Sequence, residues 1–212
     1  MKIDVVHLGR RSYANALETQ LSRQTEIIAG QATSTLFLVE HDPVLTLGAS
    51  FHEENLHFSR EEYEALGIQI EATGRGGDVT YHGPGQLVAY PVFDLREFGK
   101  DLHKWLRDLE EVVLRAVAEF GIEGRRFPPH TGVWVGDEKV AAIGVKVSRW
   151  VSIHGVSLNC NNDLSPFETI VPCGIQGYGV TSLSKIAGRD ISVAEAEPAV
   201  LRGFQSVFGV EF

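Results

Sequence analysis

Residues 132–158 read GVWVGDEKVAAIGVKVSRWVSIHGVSL. Strand-type patterning fills 132–135 and 139–147, and Gly136-Asp137-Glu138 between them is a hairpin signal. A further strand follows at 151–158. Just upstream, 101–120 carries Leu102, Leu106, Leu109, Val113, Ala116 and Phe120 on one helical stripe, with Gly121 past its end. A helix followed by a run of antiparallel strands does not fit a regular strand–helix–strand alternation. Outward from this stretch the mixture continues. Strands are predicted at 2–8, 35–39, 44–47, 68–70 and 86–92, with Asp42-Pro43 breaking the second from the third. A helix is predicted over 12–29, with Ala14, Leu17 and Leu21 at helical spacing and Gly30 as its stop. Ser59 with Glu62 caps a short helix that Gly67 ends, and Ser192 with Glu195 caps a last one reaching about residue 208. The expectation is one α/β domain of the α+β type over 1–212, with a mixed sheet packed by helices.

Composition bounds the function classes. The 212 residues are 43% hydrophobic and 22% charged, which supports a sizeable core and excludes long disorder. Apolar runs reach only about five residues against the roughly 20 needed to span a bilayer. The start, Met1-Lys2-Ile3-Asp4, lacks an apolar secretory stretch, so a cytoplasmic protein is expected, or an organellar one whose targeting segment is absent. Nineteen basic against 28 acidic residues give a net charge of −9, which disfavours nucleic acid as a partner. Two cysteines, Cys160 and Cys173, are too few for a disulfide scaffold or a zinc ribbon.

The stretch 74–85 holds Gly74, Gly76, Gly77, Gly83 and Gly85. It is a loop or hairpin of special geometry, suited to close backbone approach to a ligand. No Gly-Lys-Ser/Thr follows as in a phosphate loop, and Val79 breaks the dinucleotide pattern counted from Gly76. Arg75, Tyr81 and His82 supply polar groups beside a strand that could wall an apolar pocket.

Cys173 lies between Pro172 and Gly174, on a turn, where a thiol is accessible. A free thiol is only about 3% thiolate at pH 7, so a nucleophile here needs a nearby cation. Cys160 lacks that framing and reads as a buried hydrophobe. Lys139 opens an apolar strand; it is either a solvated end or a cation held over a thiol. By spacing alone His154 reads as a satisfied buried histidine. His82, His154, Cys160 and Cys173 lack metal-ligand spacing, and the Gly-x-Ser-x-Gly pattern is absent.

Taken together, residues 75–85, 139–144, His154-Gly155, Asn159 and Pro172-Cys173-Gly174-Ile175 are similar to the lipoyl(octanoyl) transferase family, octanoyl-carrier-protein:protein N-octanoyltransferases. The resemblance runs from about residue 36 to 183. It implies an α/β fold akin to the catalytic domains of biotin and lipoate protein ligases. It implies a ping-pong acyl transfer that starts lipoate biosynthesis and needs no cofactor or metal. Octanoyl would pass from acyl carrier protein to an enzyme cysteine. It would then pass to a lysine ε-amine on the lipoyl domains of 2-oxoacid dehydrogenase E2 subunits and on the glycine cleavage H protein, with no nucleic acid or membrane partner. Position by position, Cys173 matches the nucleophile and Lys139 the lysine that lowers its pKa. Arg75, Gly76, Gly77, Asp78, Val79, Thr80, Tyr81 and His82 match the loop lining the acyl site. Ala142, Ile143 and Gly144 match a second binding strand, and Gly155, Val156 and Ser157 a third, with His154 and Asn159 in support. Ser157 departs from the alanine expected there.

Two readings compete. A cysteine-dependent thioesterase would hand the acyl group to water, with His82 or His154 as base. A non-catalytic binding module on the same scaffold would have no use for an activated thiol. Residues 125–149 hold Arg125, Arg126, Lys139, Lys146 and Arg149 against Asp137 and Glu138, a local basic surplus that suits an acidic carrier.

Overall fold

The computed structural model describes residues 1–174 and 177–212, and Cys173 by its backbone alone. The regular elements are, in order, β1 (Asp4–Arg11), α1 (Tyr13–Ile28), β2 (Thr35–His41), β3 (Val44–Leu47), α2 (Arg60–Ala65), β4 (Gln69–Ala72), β5 (Val79–His82) and β6 (Gln86–Val92). They continue with α3 (Leu102–Ala118), β7 (Arg125–Phe127), β8 (His130–Val135), β9 (Glu138–Ser148), β10 (Val151–Asn159), β11 (Gly179–Val180), α4 (Leu183–Ala187) and α5 (Val193–Phe208). A 3-10 turn spans Pro172–Gly174.

The main sheet runs β1-β2-β6-β10-β9-β8-β7, with β11 beside β9. β1 is parallel to β2 and β11 is parallel to β9, while the other pairs are antiparallel. A smaller sheet has the order β4-β3-β5. Alternation explains the layers. Leu36 and Leu38 of β2, with Val156 and Leu158 of β10, pack with α3 and α5. Phe37 and Val39, with Val151 and Ile153, pack with α1. Both faces of the central strands are covered, which is why 35–39 reads as a continuous apolar run. The small sheet has its own core around Leu45, Tyr63, Val79, Tyr81 and Phe167.

The expected caps form: Ser59 and Glu62 make a reciprocal capping box, and Ser192 caps α5; Ser12 and Asp101 cap α1 and α3 in addition. The expected inner stripe of α1 does not hold. Leu21 is 44% exposed, and the buried face is Tyr13, Ala16, Gln20, Gln24 and Ile27. The helix turns its glutamines inward because β10 has backbone groups to satisfy there. Gln24 Nε2 donates to the Val151 carbonyl at 2.7 Å, and Gln20 Oε1 accepts the His154 N–H at 2.7 Å. The first strand begins at Asp4 rather than residue 2 and bulges between His7 and Gly9. The glycine-rich stretch contains a full strand, β5. Among the described residues no helix is long and apolar enough to cross a membrane.

Candidate active site

A cavity of about 350 Å³ opens between β9–β10 of the main sheet and the 75–82 segment of the small one. Arg75, Gly76, Gly77, Thr80 and His82 form one wall. Lys139, Ala142, Ile143, Gly144 and Val145 of β9 line another, with His154, Gly155, Val156 and Ser157 of β10. Tyr13 of α1 and Tyr90 of β6 gather about His154 at one end, and Leu106, Pro129, His130 and Thr131 complete the lining. A narrow extension shares Thr80, Lys139, Ala142 and Ser157 and continues to Gln86, Asn159 and Pro172. Pro172, the chain neighbour of Cys173, thus lines this extension. The Cys173 side chain lies outside the described residues, so its assignment as nucleophile stays an expectation from sequence.

Two glycines make this packing possible. The Gly76 N–H donates to the Val145 carbonyl at 2.9 Å, tying the loop across β9. A Cβ on Gly144 would stand 3.0 Å from the Gly76 carbonyl oxygen and 3.2 Å from Arg75 Cδ. A Cβ on Gly155 would strike the Ala89 carbonyl of β6 and come 2.6 Å from Pro91 Cδ. A side chain at either position would push apart the segments that form the cavity walls.

Lys139 is 6% exposed, not a solvated strand end. Its ammonium lies 4.9 Å from the centre of the Trp134 ring, its register partner on β8, a cation–π contact that helps hold a buried charge. The 172–174 turn is held from two sides. The Val171 N–H donates to the Asn55 carbonyl at 2.9 Å, and beyond the turn the Thr181 N–H donates to the Lys139 carbonyl at 3.0 Å. Asn55 Nδ2 also donates to Asp78 Oδ2 at 2.8 Å, and a Cβ on Gly174 would be 3.1 Å from that oxygen. Asp78 thus braces the turn and lies off the cavity wall. So do Val79 and Tyr81, which pack in the small sheet's core.

The polar groups around the cavity are networked. His82 pairs with Gln86 Oε1 through Nδ1 at 2.7 Å and with Thr46 Oγ1 through Nε2 at 3.4 Å. Gln86 Nε2 donates to Asn159 Oδ1, and Asn159 Nδ2 to the Thr181 carbonyl. Arg75 donates to the Thr46 carbonyl and hydroxyl and to the Gly76 carbonyl. Burial lowers His82 and His154 from 6.5 to about 3, with Arg75 contributing to both, and lowers His41 to about 4. Burial pushes the Cys160 thiol up to about 12. Among the described residues, no group of three or more His, Cys, Asp and Glu could hold a metal.

Residues 12–205 match the family described as the lipoyl protein ligase A/B catalytic domain. An octanoyltransferase of Rubrobacter xylanophilus is 48% identical over 98% of this chain and 94% of its own. One from Caldicellulosiruptor saccharolyticus is 41% identical over 100% of this chain and 91% of its own. The chain belongs to the octanoyltransferase family. The fold extends further. A putative lipoate protein ligase of T. acidophilum with bound lipoic acid superposes with a TM-score of 0.77 at 18% identity, covering 100% of this chain and 88% of that one. A biotin protein ligase of Aquifex aeolicus superposes at 0.58 and 16% identity, over 99% and 70% of the two chains. The expected kinship of this octanoyltransferase with ligase catalytic domains is borne out as a likeness of fold.

Sequence reasoning missed Tyr13, Gln20, Asn55, Tyr90 and Trp134. Only tertiary pairing brings them to the site. One signal was available: two glutamines, Gln20 and Gln24, four residues apart on a helix that must bury a face.

Proposed function

We propose that this octanoyltransferase works in two half-reactions through Cys173. The Cys173 thiolate attacks the carbonyl of octanoyl-acyl carrier protein; the C–S bond to the carrier's pantetheine breaks, and the released thiolate takes a proton. The ε-amine of a lysine on a lipoyl domain then attacks the enzyme thioester. The C–N bond forms, the Cys173 C–S bond breaks and the amine proton is lost. The acceptors are lipoyl domains of 2-oxoacid dehydrogenase E2 subunits and the glycine cleavage H protein. Thioester exchange is nearly isoenergetic and amide formation is downhill, so neither step calls for ATP.

The reading rests above all on the buried Lys139, which lines the narrow extension together with Pro172. A cation kept from water beside a thiol favours its thiolate. The apolar cavity leading away from that point takes the acyl chain, with Arg75, Gly76, Gly77, Thr80 and His82 on one side and β9 and β10 on the other. Burying seven chain carbons at about 0.8 kcal/mol each is worth roughly 6 kcal/mol of binding. Hydrolysis by a histidine base is disfavoured. Both ring nitrogens of His82 are engaged, and a pKa of about 3 makes it a poor base.

Intact-protein mass spectrometry tests the reading. Mixing with octanoyl-carrier protein should add one octanoyl group, removable by hydroxylamine, absent in Cys173→Ala, and discharged by a lipoyl domain. An adduct that persists in Cys173→Ala, or maps to Cys160, overturns the assignment. Discharge at the same rate without a lipoyl domain would make the enzyme a thioesterase.

A further inference from the structure

His154 has φ +59 in the body of a strand, a conformation that L side chains rarely adopt. In regular alternation it would share a face with Val156 and Leu158, towards α3 and α5. The left-handed turn brings its imidazole to the opposite face instead, where Nδ1 meets the Tyr13 hydroxyl at 3.2 Å. Its N–H, freed from the β6 ladder, which starts at Val156, goes to Gln20 Oε1 at 2.7 Å. Gln20 is wholly buried. Two inward residues of α1 thus hold one strained residue of β10 in place.

The position of that residue along the cavity gives it meaning. The reacting end is marked by Thr80, Lys139, Ala142 and Ser157, the residues shared with the extension towards Pro172. The other end closes on Tyr13, Tyr90, Val145 and His154. Ala142 to Val145 on β9 and Ser157 to His154 on β10 are each three strand residues, ~10 Å at about 3.3 Å per residue. That is the reach of an extended eight-carbon acyl chain.

We infer that His154, held by Gln20 and Tyr13, is the end stop that sets acyl-chain length, so that Gln20 is a positioning residue for specificity on a helix far from the chemistry. The inference rests on the reading above, in which the chain runs from a Cys173 thioester into this cavity. A neutral imidazole suits the role, because it closes the cavity without placing a charge against the chain's methyl end.

Octanoyl, decanoyl and dodecanoyl thioesters of pantetheine supply the test, with transfer to a lipoyl domain measured as kcat/KM for each. His154→Gly removes the imidazole, and glycine tolerates the left-handed backbone, so the strand should keep its course. It should raise the decanoyl-to-octanoyl ratio about tenfold or more, the usual scale for methylene discrimination in an apolar pocket. Gln20→Met keeps the volume and loses the acceptor; it should move the ratio in the same direction by less. A merely structural role would lower all three substrates in proportion and leave the ratio unmoved, and that result overturns the inference. If wild-type protein transfers octanoyl through Cys173 and both variants keep its ratio, the stop alone is refuted. If wild-type protein transfers no acyl group from any donor, the reading beneath it falls first.

Discussion

Replacing Lys139 by Met keeps the apolar stem against Trp134 and removes the charge. The residue is 6% exposed, so water screens the ammonium little. An opposite charge within about 4–6 Å of an ionisable group typically moves its pKa by 1–3 units. Each unit by which the thiol pKa rises towards its free value near 8.5 cuts the thiolate at pH 7.5 by up to about tenfold and changes it little at pH 9.5. Acylation and iodoacetamide labelling of the Cys173 peptide, followed by mass across that range, should show this deficit and its closure. Lys139→Arg should restore only part of the rate, because a planar guanidinium does not occupy the slot of a compact ammonium. Superimposable pH–rate profiles for wild type and Lys139→Met would refute the electrostatic role. A deficit that stays constant with pH would point to lost packing under Trp134.

Acid should destabilise the fold through its buried histidines. His82 and His154 sit at about 3 and His41 at about 4, below the unfolded value of 6.5, so the native state stays neutral while the unfolded chain takes up protons. Their contribution is complete above about pH 6.5 and falls as the pH drops towards 4, by about 1.4 kcal/mol per pH unit for each histidine. Urea midpoints measured from pH 7 to 4.5 should follow that slope, and His41→Gln should make it shallower; an equal slope in the variant contradicts the assignment. Gly155→Ala drives a methyl group into the Ala89 carbonyl and towards Pro91, and should cost about 1–3 kcal/mol, seen as a Tm lower by several degrees. A wild-type Tm would mean that β10 and β6 can part there freely. Lys146 and Arg149 are both exposed at the β9–β10 end, Lys146 beside Gly74. Replacing both by Glu should slow acylation by an acidic carrier protein, most at low salt, and leave a small octanoyl thioester unaffected. Equal loss with both donors would locate the damage in the chemistry instead.

The elements legible from sequence were those with long periodicity or side-chain caps. α3 and α5, the β8–β9–β10 run and the Ser59–Glu62 box all declare themselves locally. β7 and β11 do not, because three or two residues carry no period and exist only by pairing with β8 and β9. At the cavity, Lys139 and the glycine loop were singled out by motif, but the burial of Lys139 was not legible, since Trp134 reaches it only across a hairpin. α1 shows the sharper failure. Its leucines suggested one inner face, and the backbone demands of His154 and Val151 selected another, with glutamines inside. A strand residue with positive φ also breaks the rule by which sequence assigns faces, so the direction of His154 could not be read from its place in 151–158.

Cys160 has a use unrelated to catalysis. It is wholly buried, and with a thiol pushed up to about 12 it is nearly silent towards alkylating reagents in the native state. Any labelling it undergoes at neutral pH reports molecules that have opened. Where opening and closing are fast against the reagent, the ratio of its rate to that of a free thiol is the opening equilibrium constant itself. In a Cys173→Ala background the chain therefore carries its own unfolding gauge, set in the main core just past the end of β10, and the stability of each variant above can be measured without denaturant.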